Sequence, residues 1–458
     1  MAIRSLLWLT LAVWAVAGSL LAGEAFADGV VPPATELPSM LGLDDALRVF
    51  HAHGLDLLIA EAAVRNAEGA VKIAGAAPNP VVSGSVGKAL TYSVNSYSLT
   101  NCLQNGAQCS PWIYNVGISD QAALEDSLSG KRDLRQKVAR NALAAAKMSR
   151  ADAERTIGFQ VKSAYLQVAQ AVLASKFAKQ VAETNAKTLD LFQTRFRSGA
   201  INEGDLARIQ TQKLESDQAL DQATYTLREM RVALAFLIGV RGQVPDFEVD
   251  TKVLNYTLPA GLEHATQVGL LRAAFDRRPD LIAFGYQKAS AEAQIALTKR
   301  QRFPDVTLGV NYAWGGFGGL STNGPLQTPT ITFALSAPVP IFYQLQGELR
   351  QAEAQYDTNS LQQAKTTAQV VSDVSSGYAA YEGARRMVER MEAGGLLQSA
   401  RTARDITRLQ YEKGAASLTD FLDAQRTYIA TNVEYFGDLT NYWTAVFQLE
   451  EAVGMELH

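Results

Sequence analysis

The chain has 458 residues, a net charge of −4 and an isoelectric point near 5.8, which gives no reason to expect a nucleic-acid partner. Beyond residue 27 there is no run of 18 apolar residues, so no transmembrane helix is expected. Only Cys102 and Cys109 are available for redox chemistry, and an even count in an exported chain favours a disulfide.

Residues 1–27 have the pattern of a secretory signal peptide. Arg4 supplies the basic region, Leu6 to Leu21 the apolar stretch, and Ala25-Phe26-Ala27 a small-x-small cleavage site. A first helix is expected from Leu43 to about Ala76, where Leu47, Phe50, Leu57, Leu58, Ala62 and Val64 fall near a helical period. Asn79-Pro80 stops it, and the texture changes to Val, Ser, Gly, Tyr and Asn. A strand pair is expected over 81–118. Its second arm alternates, with Trp112, Tyr114, Val116 and Ile118 on one face. Helix resumes over 122–199, and the stretch from Gly130 to Gly199 would be roughly 100 Å long at 1.5 Å per residue. Such a length suits a coiled coil or an extended bundle better than a compact domain. A return helix follows over 205–238.

The plan then repeats. A first repeat over 28–250 is matched by a second over 251–458, with a helix over 261–302, a strand pair over 306–336, a long helix over 345–413 and a return helix over 419–453. Val306, Leu308, Val310, Tyr312 and Trp314 alternate with Thr307, Gly309, Asn311 and Ala313. This alternation suits either a membrane β-barrel or a half-buried strand of a soluble sheet. Four strands cannot close a barrel alone, and open edges are not tolerated in lipid. Either several chains share one barrel or the strands lie outside a membrane.

The turns at the far ends of the helices are the sharpest repeat. Phe196, Gly199, Asp205 and Gln210 map onto Tyr411, Gly414, Asp420 and Gln425 at a single offset of 215. Each copy predicts a helix reversal, with Gly199 or Gly414 at positive φ and Asn202 or Ser417 capping the next helix.

The duplicated turn, Arg277-Arg-Pro-Asp-Leu281, Arg302-Phe-Pro-Asp-Val-Thr-Leu308 and Pro338-Val-Pro-Ile-Phe342 together resemble the TolC-like outer-membrane efflux proteins. The resemblance covers nearly all of the chain past the signal and sits closest to the branch serving heavy-metal cation pumps. It implies an α+β, mainly α fold: an internally duplicated, long-helix α-barrel continuous with a transmembrane β-barrel, four strands per chain and twelve in a homotrimer. It also implies an outer-membrane location reaching into the periplasm, contact with outer-membrane lipid, a periplasmic adaptor and an inner-membrane pump of the RND type. Drug efflux and type I protein secretion are alternative duties, and a soluble periplasmic coiled-coil scaffold is the alternative of another class.

By that resemblance Asp420 and Asp423 ring the periplasmic entrance as a cation-favouring constriction. The alternative for Asp420 is plain complementation of a helix dipole. Asp205 and Tyr411 match a link that holds a closed state, whereas Ala416 stands where the best-known member carries Arg. Gly199, Ala200, Gly414, Ala415 and Ser417 are candidates for adaptor contact, against the alternative of ordinary helix caps and turns. Cys102 and Cys109 would lie in the outermost loop, where a disulfide is expected ahead of a metal pair because no third ligand is near. His51 and His53 are taken as ordinary helix positions, since alternate residues point to different sides. No catalytic motif and no cofactor or metal site is expected.

Overall fold

The computed structural model describes residues 37–88, 112–315 and 329–458. The signal peptide and the Cys102–Cys109 pair lie outside the described residues. In chain order the elements are β1 (Met40–Leu41), α1 (Leu43–His53), α2 (Leu55–Gly75), β2 (Val81–Lys88), β3 (Trp112–Ser119), α3 (Ala123–Leu128), α4 (Lys131–Arg197) and α5 (Glu203–Leu237). Then follow β4 (Glu248–Val249), two 3₁₀ turns, α6 (Gln267–Arg277), α7 (Pro279–Gln301), β5 (Thr307–Gly315), β6 (Thr330–Ser336), α8 (Gln346–Ala393), α9 (Leu396–Glu412) and α10 (Leu418–Val453).

Four of the expected continuous helices are interrupted. The first divides at Gly54, whose N–H bonds back to Phe50 O at 2.7 Å. The helix expected over 122–199 divides at Gly130 (φ 75°), and the one over 345–413 divides at Gly395 (φ 61°). Only residues without a Cβ enter that left-handed region cheaply. The helix over 261–302 divides at Arg278-Pro279, because the residue before a proline is pushed out of the α region (Arg278 ψ 119°).

The backbone folds into two compact units, and each draws on both sequence repeats. One comprises residues up to Leu55, Gln160–Asn255 and Gly394–Thr440. In it, β1 pairs in parallel with β4, a contact between segments more than 200 residues apart, with Leu41 fully buried. Tyr165 secures this corner: its hydroxyl donates to Leu41 O at 2.8 Å and accepts from Asp250 N at 3.1 Å. Burial, helped by the Asp250 carboxylate and opposed by the hydrogen bond from the Asp250 backbone, pushes that phenol up to about 12.

The other unit comprises Asp56–Phe159, Tyr256–Ala393 and Asn441–His458. It contains the four-stranded antiparallel sheet, in the order β2-β3-β5-β6. The two expected strand pairs are therefore joined, β3 to β5, across the repeat boundary. At its core, Arg278 is 4% exposed and bonds Asp280 at 2.7 and 3.1 Å, Asp373 at 2.8 Å and Ala452 O at 3.3 Å. Beside it Arg155 bonds Asp152 at 2.7 Å and the Glu451 carbonyl. This ion cluster ties the Arg-Arg-Pro-Asp stretch to α8 and to the end of α10.

Candidate functional sites: the helix tips and the sheet

At the first tip, α4 ends on Gly199 at φ 73°. Gly199 N–H bonds Phe196 O at 2.9 Å and Ala200 N–H bonds Arg195 O at 2.9 Å, the paired closure of a Schellman motif. Asn202 then caps α5 by accepting from Asp205 N at 2.8 Å. At the second tip Gly414 (φ 77°) repeats the closure, with Gly414 N–H to Tyr411 O at 3.0 Å and Ala415 N–H to Gln410 O at 2.8 Å. Ser417 caps α10, accepting from Asp420 N at 3.1 Å. The offset of 215 therefore holds atom for atom through both turns.

The two hairpins meet through an apolar cluster of Phe192, Ile209, Leu418, Phe421 and Leu422. Tyr411 sits between Phe192 and Phe421, its ring stacked on Phe192 at 5.6 Å and on Phe421 at 6.2 Å. Arg208 adds a bond to Thr419 at 3.3 Å, and Gln425 reaches Asn185 at 3.2 Å in the buried layer behind. A groove of about 600 Å³ opens beside this cluster, lined by Arg195, Asp205, Tyr411, Glu412, Gly414 and Ala416 among others. Asp205 and Tyr411 thus share one groove, but the Asp205 carboxylate accepts from Asn202 Nδ2 at 3.0 Å. Burial and the Asp205 charge push the Tyr411 phenol up, while Arg195 pulls it down. Arg195 was not singled out in the sequence. Its only signal there is its place one residue before the first aromatic of the repeated turn.

The two acidic residues of the second tip differ. Asp420 completes a capping box, accepting from Ser417 N at 3.0 Å and Ser417 Oγ at 2.7 Å. Those bonds hold its carboxyl below the usual range. Asp423, one turn on, is exposed and its counterpart at the first tip is Arg208.

The sheet is the second site. In the observed register Val82, Val86, Tyr114, Val116, Ile118, Leu308, Val310, Tyr312, Trp314, Ile331, Phe333 and Leu335 share one face. That face is open: Val82 is 72% exposed, Phe333 81% and Leu335 71%. The opposite face carries Ser83, Ser85, Asn115, Gly117, Asn311, Thr332 and Ala334. A Cβ at Gly117 would stand 1.9 Å from Asn311 Oδ1 and 3.0 Å from Ser83 Oγ, so any other residue there has to push Asn311 aside. The outer edges, β2 and β6, have no strand partner among the described residues. At the base, Lys131 is buried and bonds Asp305 at 2.6 Å and Phe303 O at 2.8 Å, while Asp120 accepts from Leu308 N at 2.8 Å. These bonds fasten the helix ends to β3 and β5.

An open apolar sheet face, a polar opposite face and long helices closed by matched turns define an outer-membrane channel of the efflux type. The chain belongs to the outer membrane efflux protein family, whose model matches residues 50–240 and 270–455. That family consists of transport channels rather than enzymes, and its place is the outer membrane. The chain is 24% identical over 392 residues to the pyoverdine export outer membrane protein OpmQ of Pseudomonas aeruginosa, covering 85% of this chain and 80% of that protein. It is 22% identical over 434 residues to the cobalt-zinc-cadmium resistance protein CzcC of Cupriavidus metallidurans, covering 92% and 91%. Its fold matches that of CusC with a TM-score of 0.71 at 17% identity over 90% of this chain and 92% of that one. It also matches the outer membrane protein VceC of Vibrio cholerae with a TM-score of 0.68 at 20% identity, covering 91% and 97%.

Proposed function

We propose that the chain is the exit duct of a three-part efflux assembly. Three copies would share one twelve-stranded barrel, and their helices would form an α-barrel below it that passively carries cargo from an inner-membrane pump. The observation that carries this reading is the sheet: one continuous apolar face, one polar face and two edges unpaired among the described residues. Unpaired backbone groups are expensive in hydrocarbon, so edges of this kind call for further copies of the chain. The α-barrel would dock on a periplasmic adaptor at Gly199, Ala200, Gly414, Ala415 and Ser417, all small side chains around the two turns.

The gate belongs to the second tip. Asp423 is the free carboxylate there, Asp420 is its capped neighbour, and Tyr411 with Asp205 lines the groove that a closing hairpin would fill. For cargo the reading favours heavy-metal cations, because the alignment with CzcC spans more of both chains than the one with OpmQ. Cation-favouring carboxylates at the mouth agree with that cargo.

Trimers that resist detergent until heated, together with single-channel conductance in planar bilayers, are the expected results. A detergent-free soluble protein without conductance would overturn the duct. Replacing both Asp420→Asn and Asp423→Asn should weaken block by a trivalent cation, and unchanged block would remove the carboxylate ring. Deleting the chain should sensitise its host to cobalt, zinc or cadmium; unaltered metal tolerance would remove the cargo assignment while leaving the duct standing.

A further inference from the structure

Among the described residues of the open apolar face, Lys88 is the one charged side chain. It ends β2 opposite Trp112, and its Nζ stands 5.2 Å from the centroid of the Trp112 ring. No carboxylate meets it among the described residues. In the next row of the same face Tyr114 pairs with Trp314, stacked at 5.4 Å and 16°, and Tyr312 lies 5.5 Å from Trp314. Tyr312 belongs to the row after that, beside Val116 and Ile331, and the rows beyond are aliphatic or Phe: Ile118, Val310, Phe333, Leu308 and Leu335.

This gradient fixes a level. A band of Trp and Tyr marks the boundary between hydrocarbon and headgroups. Lys88 lies six residues from Val82, about 20 Å along the strand, on the watery side of that band. A lysine is costly at a bilayer centre and nearly free at its edge, where its stem lies on apolar surface and its ammonium reaches outward. Here the ammonium stands over an indole, which orders the charge without neutralising it. The anionic group available at that depth is a lipid phosphate.

We propose that Lys88, positioned by Trp112, binds the phosphate of an anionic lipid in the leaflet at the hairpin end of the sheet. The inference rests on the lipid-facing reading of the apolar face given above. Each copy of the chain would carry one such site. The ammonium supplies charge and three N–H donors, and the neighbouring aromatic row receives the upper part of the acyl chains.

The test uses the full chain extracted in mild detergent, with bisphosphorylated lipid A as the probe and its dephosphorylated form as control. Native mass spectrometry counts the lipid retained per chain. Wild type should hold the phosphorylated form in preference, Lys88→Gln should bind it about fivefold more weakly, and Lys88→Arg should restore binding. Equal retention by wild type and Lys88→Gln would overturn the site. Displacement by millimolar inorganic phosphate would assign the lysine to soluble anions and overturn the lipid assignment.

Quenching by brominated lipids separates the two readings. In a Trp443→Phe background the remaining described tryptophans, Trp112 and Trp314, should be quenched. Absence of quenching removes the lipid-facing reading itself. Quenching with no Lys88 effect removes only the phosphate site.

Discussion

Removing the Arg278 guanidinium should be the most damaging single change in the sheet-bearing unit. Arg278 is almost fully buried, and its two carboxylate partners are 15% (Asp280) and 31% (Asp373) exposed. Burial works against the charge, but the hydrogen bonds and charges of Asp280 and Asp373 win and raise its pKa further. Arg278→Met keeps most of the volume and takes from Asp280 and Asp373 the guanidinium that both bond, leaving Asp280 only the more distant charge of Arg155. Breaking a buried pair in this way costs about 3–5 kcal/mol, and the partial exposure of Asp373 places the expectation near the lower end. The triple change Arg278→Met, Asp280→Asn and Asp373→Asn should recover most of that loss, since no uncompensated charge remains. Urea unfolding followed by circular dichroism at 222 nm, extrapolated linearly to water, measures both. A single-variant loss below about 1 kcal/mol, or a triple variant no better than the single one, would refute the reasoning. Acid adds a second reading. Burial raises the Asp280 pKa, yet Arg278 outweighs it and the net shift is downward. Asp280 therefore contributes stability that is present above the unfolded carboxylate value of about 3.9 and is lost as pH falls through the lower folded value. Arg278→Met should flatten that acid limb.

Three other outcomes follow from the geometry. Burial pushes the Glu451 carboxyl up despite Arg155 and Arg278, so its contribution is complete below the unfolded value and declines as pH rises through the folded one. Glu451→Gln should remove that decline, measured as the change in urea midpoint between pH 5 and 8. Gly117→Ala forces Asn311 aside and should lose about 1 kcal/mol, which Asn311→Ala restores; a double-mutant cycle without coupling would sink the contact. Ser417→Ala should cost about 1 kcal/mol of stability through the lost cap, whereas Asp423→Asn, with no capping duty, should change cation block while leaving the melting temperature in place.

The turns were the most legible part of the chain. Gly199 with Asn202 and Gly414 with Ser417 act through local backbone chemistry, so spacing alone places them. The strand faces were legible for the same reason, because Val310, Tyr312 and Trp314 alternate at a period of two. The join of β3 to β5 was not, since nothing local in Trp112–Ser119 states which strand will lie beside it. Helix interruptions at Gly54, Gly130 and Gly395 were hidden because a single glycine is also tolerated inside a helix. The Arg278 cluster escaped likewise: Asp373 and Ala452 are 95 and 174 residues away. At the tip, sequence could align Asp420 with Asp205, but only coordinates separate the capping carboxylate from the free one at Asp423.

The sheet order has a consequence for assembly. β2, β3, β5 and β6 alternate in direction, so the two outer strands run opposite ways. A second copy set against either edge by simple rotation meets an antiparallel neighbour, as every internal pair already does. An odd number of strands would instead bring like-directed edges together and force one parallel seam per copy. In the proposed shared barrel, the strand parity created by joining two hairpins would make the seam between copies the same kind of contact as the β3–β5 join, and ring closure would need no new type of pairing.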